Sequence, residues 1–377
     1  MKNRTIMKKI PFLRPNLVKK ETLLPYLSEI DTSRIYSNFG PLNKRFEQRI
    51  LHEYFDNSGD VTTVNNATIG LILAISQSKR PNGKYALMPS FTFAATPLAA
   101  LWCGLEPYFV DIRSDDWCMN EELLNETIQK LGDQVAVVVP YATFGTNMNL
   151  EIYQQWHQSG IPVVIDAAAS FGSTHHKGHF GKDFTGYVVY SFHATKSFGI
   201  GEGGLIYSEN SEQISKIRQA ENFGFSLDRT TNSLGINGKI SEYTAAIGLS
   251  TLEVYSQKAK TRQQIYSWYL KELSQKDLLS KGWKLQKNKG TIPHQFMPIA
   301  CPKGKKNNDI INSLANRNIE ARTYFSPSCH THPQFMNYPR TPLPVTEELS
   351  SRILSLPLWE EMTLEDVNLI VEGLVSS

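Results

Sequence analysis

Lys196 lies in the run Ser191-Phe192-His193-Ala194-Thr195-Lys196-Ser197-Phe198-Gly199-Ile200-Gly201-Glu202-Gly203-Gly204. Thirty residues earlier, Asp166 closes the apolar run Val163-Val164-Ile165-Asp166. A lysine boxed in by small and hydroxyl side chains beside a glycine-rich turn is poorly explained as surface charge, the commoner fate of lysines. Together the two residues match the needs of pyridoxal 5'-phosphate chemistry. An amine forms a Schiff base with the aldehyde, and a carboxylate partners the pyridinium nitrogen so that the ring can accept electrons. Taken alone, Asp166 reads equally well as the N-cap of a following helix. The pairing with Lys196 favours the chemical reading.

A phosphate group needs N–H donors and hydroxyls. Asn65-Asn66-Ala67-Thr68 stands between a β-branched run and a helical pattern, an arrangement that aims the backbone N–H groups of Ala67 and Thr68 at an anion. Ser191 adds a hydroxyl just before the lysine. An Asn-Asn turn by itself often only turns the chain. Phe93, in Ser90-Phe91-Thr92-Phe93-Ala94-Ala95-Thr96, can stack on a planar ring or pack in a core. His193 is a candidate on the substrate side, against a packing role. Cys329-His330-Thr331-His332 has no further ligands at suitable spacing, so no metal is expected.

The elements that must position these residues alternate. Apolar spacing predicts a helix over 46–55, a strand over 61–64 and a helix over 69–76. Strands follow over 85–89, 108–111, 135–140 and 162–166, with a helix after the first and helices over 121–131 and 150–159. Further strands are expected over 187–192 and 204–207. Such alternation means right-handed crossovers and a mostly parallel sheet covered on both faces, an α/β fold, and ligands bind at the carboxyl ends of its strands. After Ser241 the pattern changes to a long helix reaching about residue 273, a lysine-rich stretch, a strand over 295–300, and helical patterns over 345–354 and 363–375. Residues 1–240 read as a large cofactor-binding α/β domain and 241–377 as a smaller α+β domain.

The chain has 377 residues, 41% hydrophobic and 20% charged, with a net charge of +3 from 39 basic and 36 acidic residues. That balance gives no case for a nucleic-acid partner. Four scattered cysteines fit reduced thiols in a cytoplasm better than a disulfide framework. No apolar segment approaches a membrane span, and the apolar stretch near the N-terminus is too short for a signal-peptide core. Residues 1–8 read as a frayed extension.

Taken together, these residues resemble the nucleotide-sugar aminotransferases of the DegT/DnrJ/EryC1/StrS family, a branch of the fold-type I pyridoxal phosphate enzymes. The resemblance is carried by Ile10-Pro11-Phe12, Asn38-Phe39-Gly40-Pro41-Leu42, Phe46-Glu47 and Pro89-Ser90-Phe91-Thr92-Phe93. It continues through Asp166-Ala167-Ala168, the lysine run, and Leu354-Ser355-Leu356-Pro357-Leu358 followed by Met362-Thr363. It implies that Lys196 is the Schiff-base lysine, Asp166 the pyridinium partner, Ala67, Thr68 and Ser191 the phosphate ligands, and Phe93 the ring cover. Asn237, in Gly235-Ile236-Asn237-Gly238-Lys239, matches an asparagine that reaches the neighbouring subunit's phosphate, which implies a homodimer with shared sites. Tyr324 and His330 fall in the stretch that lines the sugar side. Two departures stand out. Ala169 replaces a frequent glutamine, with Ser170 as a possible substitute, and Asn66-Ala67-Thr68 replaces Ser-Gly-Thr.

The implied reaction takes an amino group from L-glutamate and passes it to a nucleotide-linked keto-sugar. A dTDP-linked 4-keto-6-deoxyglucose is the first choice, giving the dTDP-4-amino-4,6-dideoxyglucose for O-antigen or other surface polysaccharide. GDP- or UDP-sugar 4-amination and 3-amination are the alternatives. Relatives with histidine in place of the lysine are dehydratases, and retention of Lys196 argues for transamination. A catalytically silent sugar-nucleotide sensor or scaffold is the non-enzyme alternative, which intact Lys196 and Asp166 oppose.

Overall fold

A computed structural model describes residues 8–377. The expected frayed extension lies outside these residues except for Lys8, whose amine pairs with the buried Asp366 carboxylate at 2.5 Å. In chain order the elements are α1 (Lys20–Ser33), α2 (Pro41–Phe55), β1 (Asp60–Val64), α3 (Ala67–Ser78), β2 (Tyr85–Pro89), α4 (Ala95–Trp102), β3 (Glu106–Val110), α5 (Glu121–Leu131), β4 (Val135–Val138), α6 (Leu150–Gln158) and β5 (Val164–Asp166). A short hairpin follows, β6 (Thr174–His175) and β7 (Gly178–His179), then β8 (Tyr187–Ser191), β9 (Gly204–Ser208) and α7 (Ser211–Ala220). The remainder is α8 (Glu242–Gln275), β10 (Lys284–Leu285), β11 (Met297–Ala300), α9 (Asn307–Ala315), α10 (Pro344–Arg352), β12 (Ile353–Leu356) and α11 (Leu364–Val375).

Ladders join β1-β9-β8-β5 and β3-β2-β4. Bridges from Val138 to Val163 and from Tyr141 to Asp166 sew the two into one layer, β1-β9-β8-β5-β4-β2-β3. Only β9 runs against its neighbours. The central strands β4, β5 and β8 are buried along their whole length and apolar up to the polar residues that close β5 and β8, as strands covered on both faces must be. One face packs against α2 and the first half of α8 through Phe46, Ile50, Leu249 and Leu252. The other packs against α3 and α7 through Leu71, Leu73, Ile214 and Ile217.

Helix α8 ties the halves of the chain together. Its Glu242 carboxylate accepts hydrogen bonds from the N–H groups of Leu42 (2.8 Å) and Asn43 (2.9 Å), which satisfies the start of α2. Gly248 lies against Phe46 so closely that a Cβ there would stand 2.5 Å from the ring. Further along, Ile265, Tyr269 and Leu273 enter a separate core with Ile299, Leu314 and Ile370, and Ile10 joins them. The antiparallel sheet β10-β11-β12 lies in this part of the chain.

The expected helix over 345–354 stops at Arg352. Ile353–Leu356 pairs antiparallel with Met297–Ala300 instead, a long-range contact that a local helical period cannot register. Helices α1, α7 and α9 were not anticipated. Proline at position 25 masks α1, and α7 and α9 are short. Among the described residues no helix is long and apolar enough to cross a membrane.

Candidate active site

The residues with chemical potential gather at the carboxyl edge of the sheet. Asp166 ends β5, Ser191 ends the neighbouring parallel strand β8, Val64 ends β1 just before the Asn65–Thr68 turn, and Ser90 follows β2. Gly204 on β9 sits opposite both Ser191 and Val64. A Cβ at this glycine would stand 2.9 Å from the Tyr190 carbonyl oxygen and 3.0 Å from the Ala67 nitrogen, so its absence keeps the start of α3 open beside Ser191.

Asn66 caps α3, its Oδ1 accepting from the Ile69 N–H at 2.9 Å. The first N–H groups of a helix have no partner within it, and those of Ala67 and Thr68 find none elsewhere among the described residues. Two free donors, the positive end of a helix and the Ser191 hydroxyl make a cradle for a dianion. The hydroxyl accepts only a 3.3 Å bond from the His193 N–H.

Asp166 is buried. Its Oδ2 accepts from the Thr96 hydroxyl at 2.7 Å and its Oδ1 from the Ala168 N–H at 3.1 Å. Burial pushes the carboxyl above its ordinary range, while these two bonds and the Lys196 charge pull it back. Thr96 is oriented in turn by Thr92 at 2.9 Å. Desolvation draws the Lys196 amine down to about 8, and the Asp166 charge opposes that shift. The charge of each group therefore acts on the other.

The lysine's loop is rigid. Phe192 and Phe198 are fully buried on either side of it, with ring centroids 4.8 Å apart. The Ala194 N–H donates to Gly201 O at 2.7 Å, and the Ser197 hydroxyl meets the Tyr255 hydroxyl at 3.1 Å. The Lys196 Nζ donates to Gln295 Oε1 at 3.3 Å.

The other expected residues divide. Phe93 is 60% exposed and its nearest aromatic ring, that of Phe325, is 6.5 Å away, so it has a free face beside the site. His193 is half-buried, with Nδ1 2.8 Å from Thr195 Oγ1 and Nε2 3.6 Å from Glu202. Tyr324 belongs to a ring cluster with Phe12, Phe296 and Phe325 at centroid distances of 5.6–5.9 Å. His330 turns inward. Its Nδ1 lies 2.7 Å from Ser90 Oγ, and burial lowers its proton affinity, so it braces the segment after β2. Cys329 does the same through Thr92 O at 3.2 Å.

Asn237 is exposed, in a loop adjoining the Asn65–Thr68 turn. The carbonyl of its neighbour Gly238 accepts from the Asn65 N–H at 2.7 Å. Ala169 offers no polar side chain, and Ser170 Oγ is buried without a partner among the described residues. Sequence reasoning missed Thr96 and Gln295. Thr96 had a weak signal, a hydroxyl in the first turn of α4 close behind Thr92; Gln295 had none.

These residues fit pyridoxal phosphate: unpartnered helix N–H groups beside a hydroxyl, an exposed aromatic ring at Phe93, a buried carboxylate and a partly neutral amine. The model for the DegT/DnrJ/EryC1/StrS aminotransferase family matches residues 18–375. Protein Rv3402c of Mycobacterium tuberculosis (strain ATCC 25618 / H37Rv) is 33% identical over 96% of this chain and 89% of its own length. The dTDP-4-amino-4,6-dideoxy-D-glucose transaminase of Escherichia coli is 29% identical over 96% of each chain. A crystal structure from Bacillus cereus ATCC 10987, assigned to the PLP-dependent aminotransferases, superposes with a TM-score of 0.96 at 54% identity, covering 97% of this chain and 100% of that one. DesI, crystallised with its TDP-sugar product, gives a TM-score of 0.87 at 28% identity, covering 98% of this chain and 92% of its own. With the site built as it is, the chain belongs to the DegT/DnrJ/EryC1/StrS aminotransferase family and is a pyridoxal phosphate-dependent sugar aminotransferase.

Proposed function

We propose that this enzyme moves an amino group from L-glutamate to a nucleotide-linked 4-keto-6-deoxy sugar. The first choice of acceptor is dTDP-4-dehydro-6-deoxyglucose, yielding dTDP-4-amino-4,6-dideoxyglucose. The observation that carries the chemistry is the buried Asp166 coupled to the Lys196 amine, beside the open N-terminus of α3. The names of the Escherichia coli transaminase and of DesI with its TDP-sugar product support the sugar class.

Pyridoxal phosphate, when bound, supplies an aldehyde that carries the amino group and a ring that draws electrons from it. The chain does the rest. Lys196 tethers the cofactor and, once displaced, moves the proton from the donor's α-carbon; an amine lowered to about 8 is neutral far more often near physiological pH than an ordinary lysine, which lets it act as a base. Asp166 holds the ring nitrogen protonated. Ala67, Thr68 and Ser191 hold the phosphate, Phe93 covers the ring, and the unpartnered Ser170 hydroxyl stands in for the glutamine absent at Ala169. His193 and Tyr324 face the sugar side, with His330 supporting that wall from behind.

The enzyme acts as a homodimer in which Asn237 reaches the partner's phosphate. Exposed Phe223, Leu227, Leu234 and Ile236 on the same loop support its burial against a second copy. The product feeds O-antigen or another surface polysaccharide, made in the cytoplasm, a setting that suits four separate free thiols.

The test is a mass-spectrometric screen of dTDP-, GDP- and UDP-linked keto-sugars with glutamate. Amination of the dTDP-linked 4-keto sugar is expected. Product only from a 3-keto sugar, or only from another nucleotide, would overturn the substrate assignment. No turnover by a cofactor-loaded protein would favour the silent sensor.

A further inference from the structure

Gln295 lies ninety-nine residues beyond Lys196, in the segment that enters β11, yet its side chain meets the reacting amine. Its Oε1 accepts from Lys196 Nζ at 3.3 Å, while its Nε2 donates to the Thr195 hydroxyl at 3.2 Å. A protonated lysine amine can only donate, so the amide oxygen must face it and the amide nitrogen must face Thr195. Both ends of the amide are thus committed to two consecutive residues of the lysine loop.

The backbone beneath this side chain is fixed from α8. The buried Arg262 guanidinium donates through Nη1 to the carbonyls of His294 (2.9 Å), Gln295 (3.4 Å) and Leu358 (3.1 Å), and through Nε to Glu360 at 2.9 Å. The neighbouring His294 ring is stacked on Tyr266 with centroids 3.9 Å apart. A loose surface glutamine would have no such support. Here a buried cation holds three carbonyls so that one amide aims at one amine, the kind of supporting shell that fixes a reactive group in place.

We propose that Gln295 is a positioning residue for the transamination, docking the amine of Lys196 whenever that amine is released. The inference rests on the reading of Lys196 as the cofactor lysine. During each half-reaction the amine is free and must return to one place to move its proton. Gln295 offers that place, and it does so from the part of the chain that follows α8. As a neutral acceptor it holds the amine without fixing its charge, whereas a carboxylate there would stabilise the ammonium and spoil the base.

The test uses the full-length protein loaded with pyridoxamine phosphate, in which Lys196 is unbonded. The pH dependence of Lys196 acylation is followed by peptide mass spectrometry in the wild type, Gln295→Leu and Gln295→Glu. Gln295→Glu should raise the labelling midpoint by about one pH unit or more, and Gln295→Leu should lower it. Gln295→Leu should also reduce kcat by about tenfold with little change in the KM for glutamate, the pattern of a lost contact to the reacting amine. Midpoints within about 0.2 of the wild type in the variants that fold would overturn the proposal, because a purely structural role would shift only the melting temperature. If Gln295→Leu fails to fold, the near-isosteric Gln295→Glu carries the test. Failure of the underlying reading looks different: borohydride would then fix no cofactor on Lys196 in the wild type.

Discussion

Replacing Thr96 by valine removes the shorter of the two hydrogen bonds that hold the buried Asp166 carboxylate, leaving only the 3.1 Å bond from the Ala168 N–H. Valine keeps the shape and deletes the hydroxyl, so packing changes little. A hydrogen bond to a charged, buried acceptor contributes about 1.5–3 kcal/mol. At about 1.4 kcal/mol per pH unit, the Asp166 carboxyl should climb by about one to two units beyond its already raised position. A carboxylate less willing to be charged pairs less well with a protonated ring nitrogen, so cofactor affinity should fall by roughly 10- to 100-fold. Titration of cofactor-free protein with pyridoxal phosphate, read by absorbance, gives the affinity directly. Thr96→Ser restores the hydroxyl and should recover most of the loss. The effect on stability has a definite sign. A carboxyl raised on folding stabilises the fold below its unfolded value, about pH 4, and loses that contribution as pH rises through the folded value. Valine should move the loss to higher pH. Affinity within twofold of the wild type for Thr96→Val would refute the argument that Asp166 is held charged for the ring.

Three further outcomes follow from the same geometry. In cofactor-free protein, acylation of Lys196 should be half-maximal near pH 8, because burial favours the neutral amine. A midpoint near the usual lysine value would contradict the environment described, and between about pH 8 and about pH 10.4 the lowered amine should make stability rise with pH. Gly204→Ala places a methyl 3.0 Å from the Ala67 nitrogen and should weaken binding of pyridoxal phosphate by about tenfold or more, while affinity for unphosphorylated pyridoxal falls less; equal losses would separate the glycine from the phosphate cradle. Mixing Lys196→Ala with Asn237→Ala should restore part of the activity, since a mixed dimer can place both defects in one site; subunit exchange without recovery would contradict site sharing.

Much of the frame was legible because parallel strands buried on both faces must be continuous apolar runs. The positions of β2 and α5 coincide with their predicted spans, and the long helix after Ser241 was visible from its period. Asp166 and Lys196 were readable since each closes or follows a strand whose carboxyl end lines the site. The start of α3 was readable for a similar reason, although the Asn66 cap starts the helix at Ala67, two residues earlier than apolar spacing alone suggests. What escaped was long-range. Thr96 reaches Asp166 across seventy residues and Gln295 reaches Lys196 across ninety-nine, and no local pattern records such meetings. The strand Ile353–Leu356 was hidden for the same reason, its conformation being set by β11. The contact of His330 with Ser90 is long-range as well, joining residues 240 apart that no local pattern links.

The most direct test is to reduce the purified, yellow enzyme with borohydride, digest it and locate the phosphopyridoxyl group by mass spectrometry. The group is expected on Lys196, within the peptide running from His193 to Gly199, and Lys196→Ala should leave no label and no turnover. A label on a different lysine, or catalysis surviving in Lys196→Ala, would contradict the account of this site.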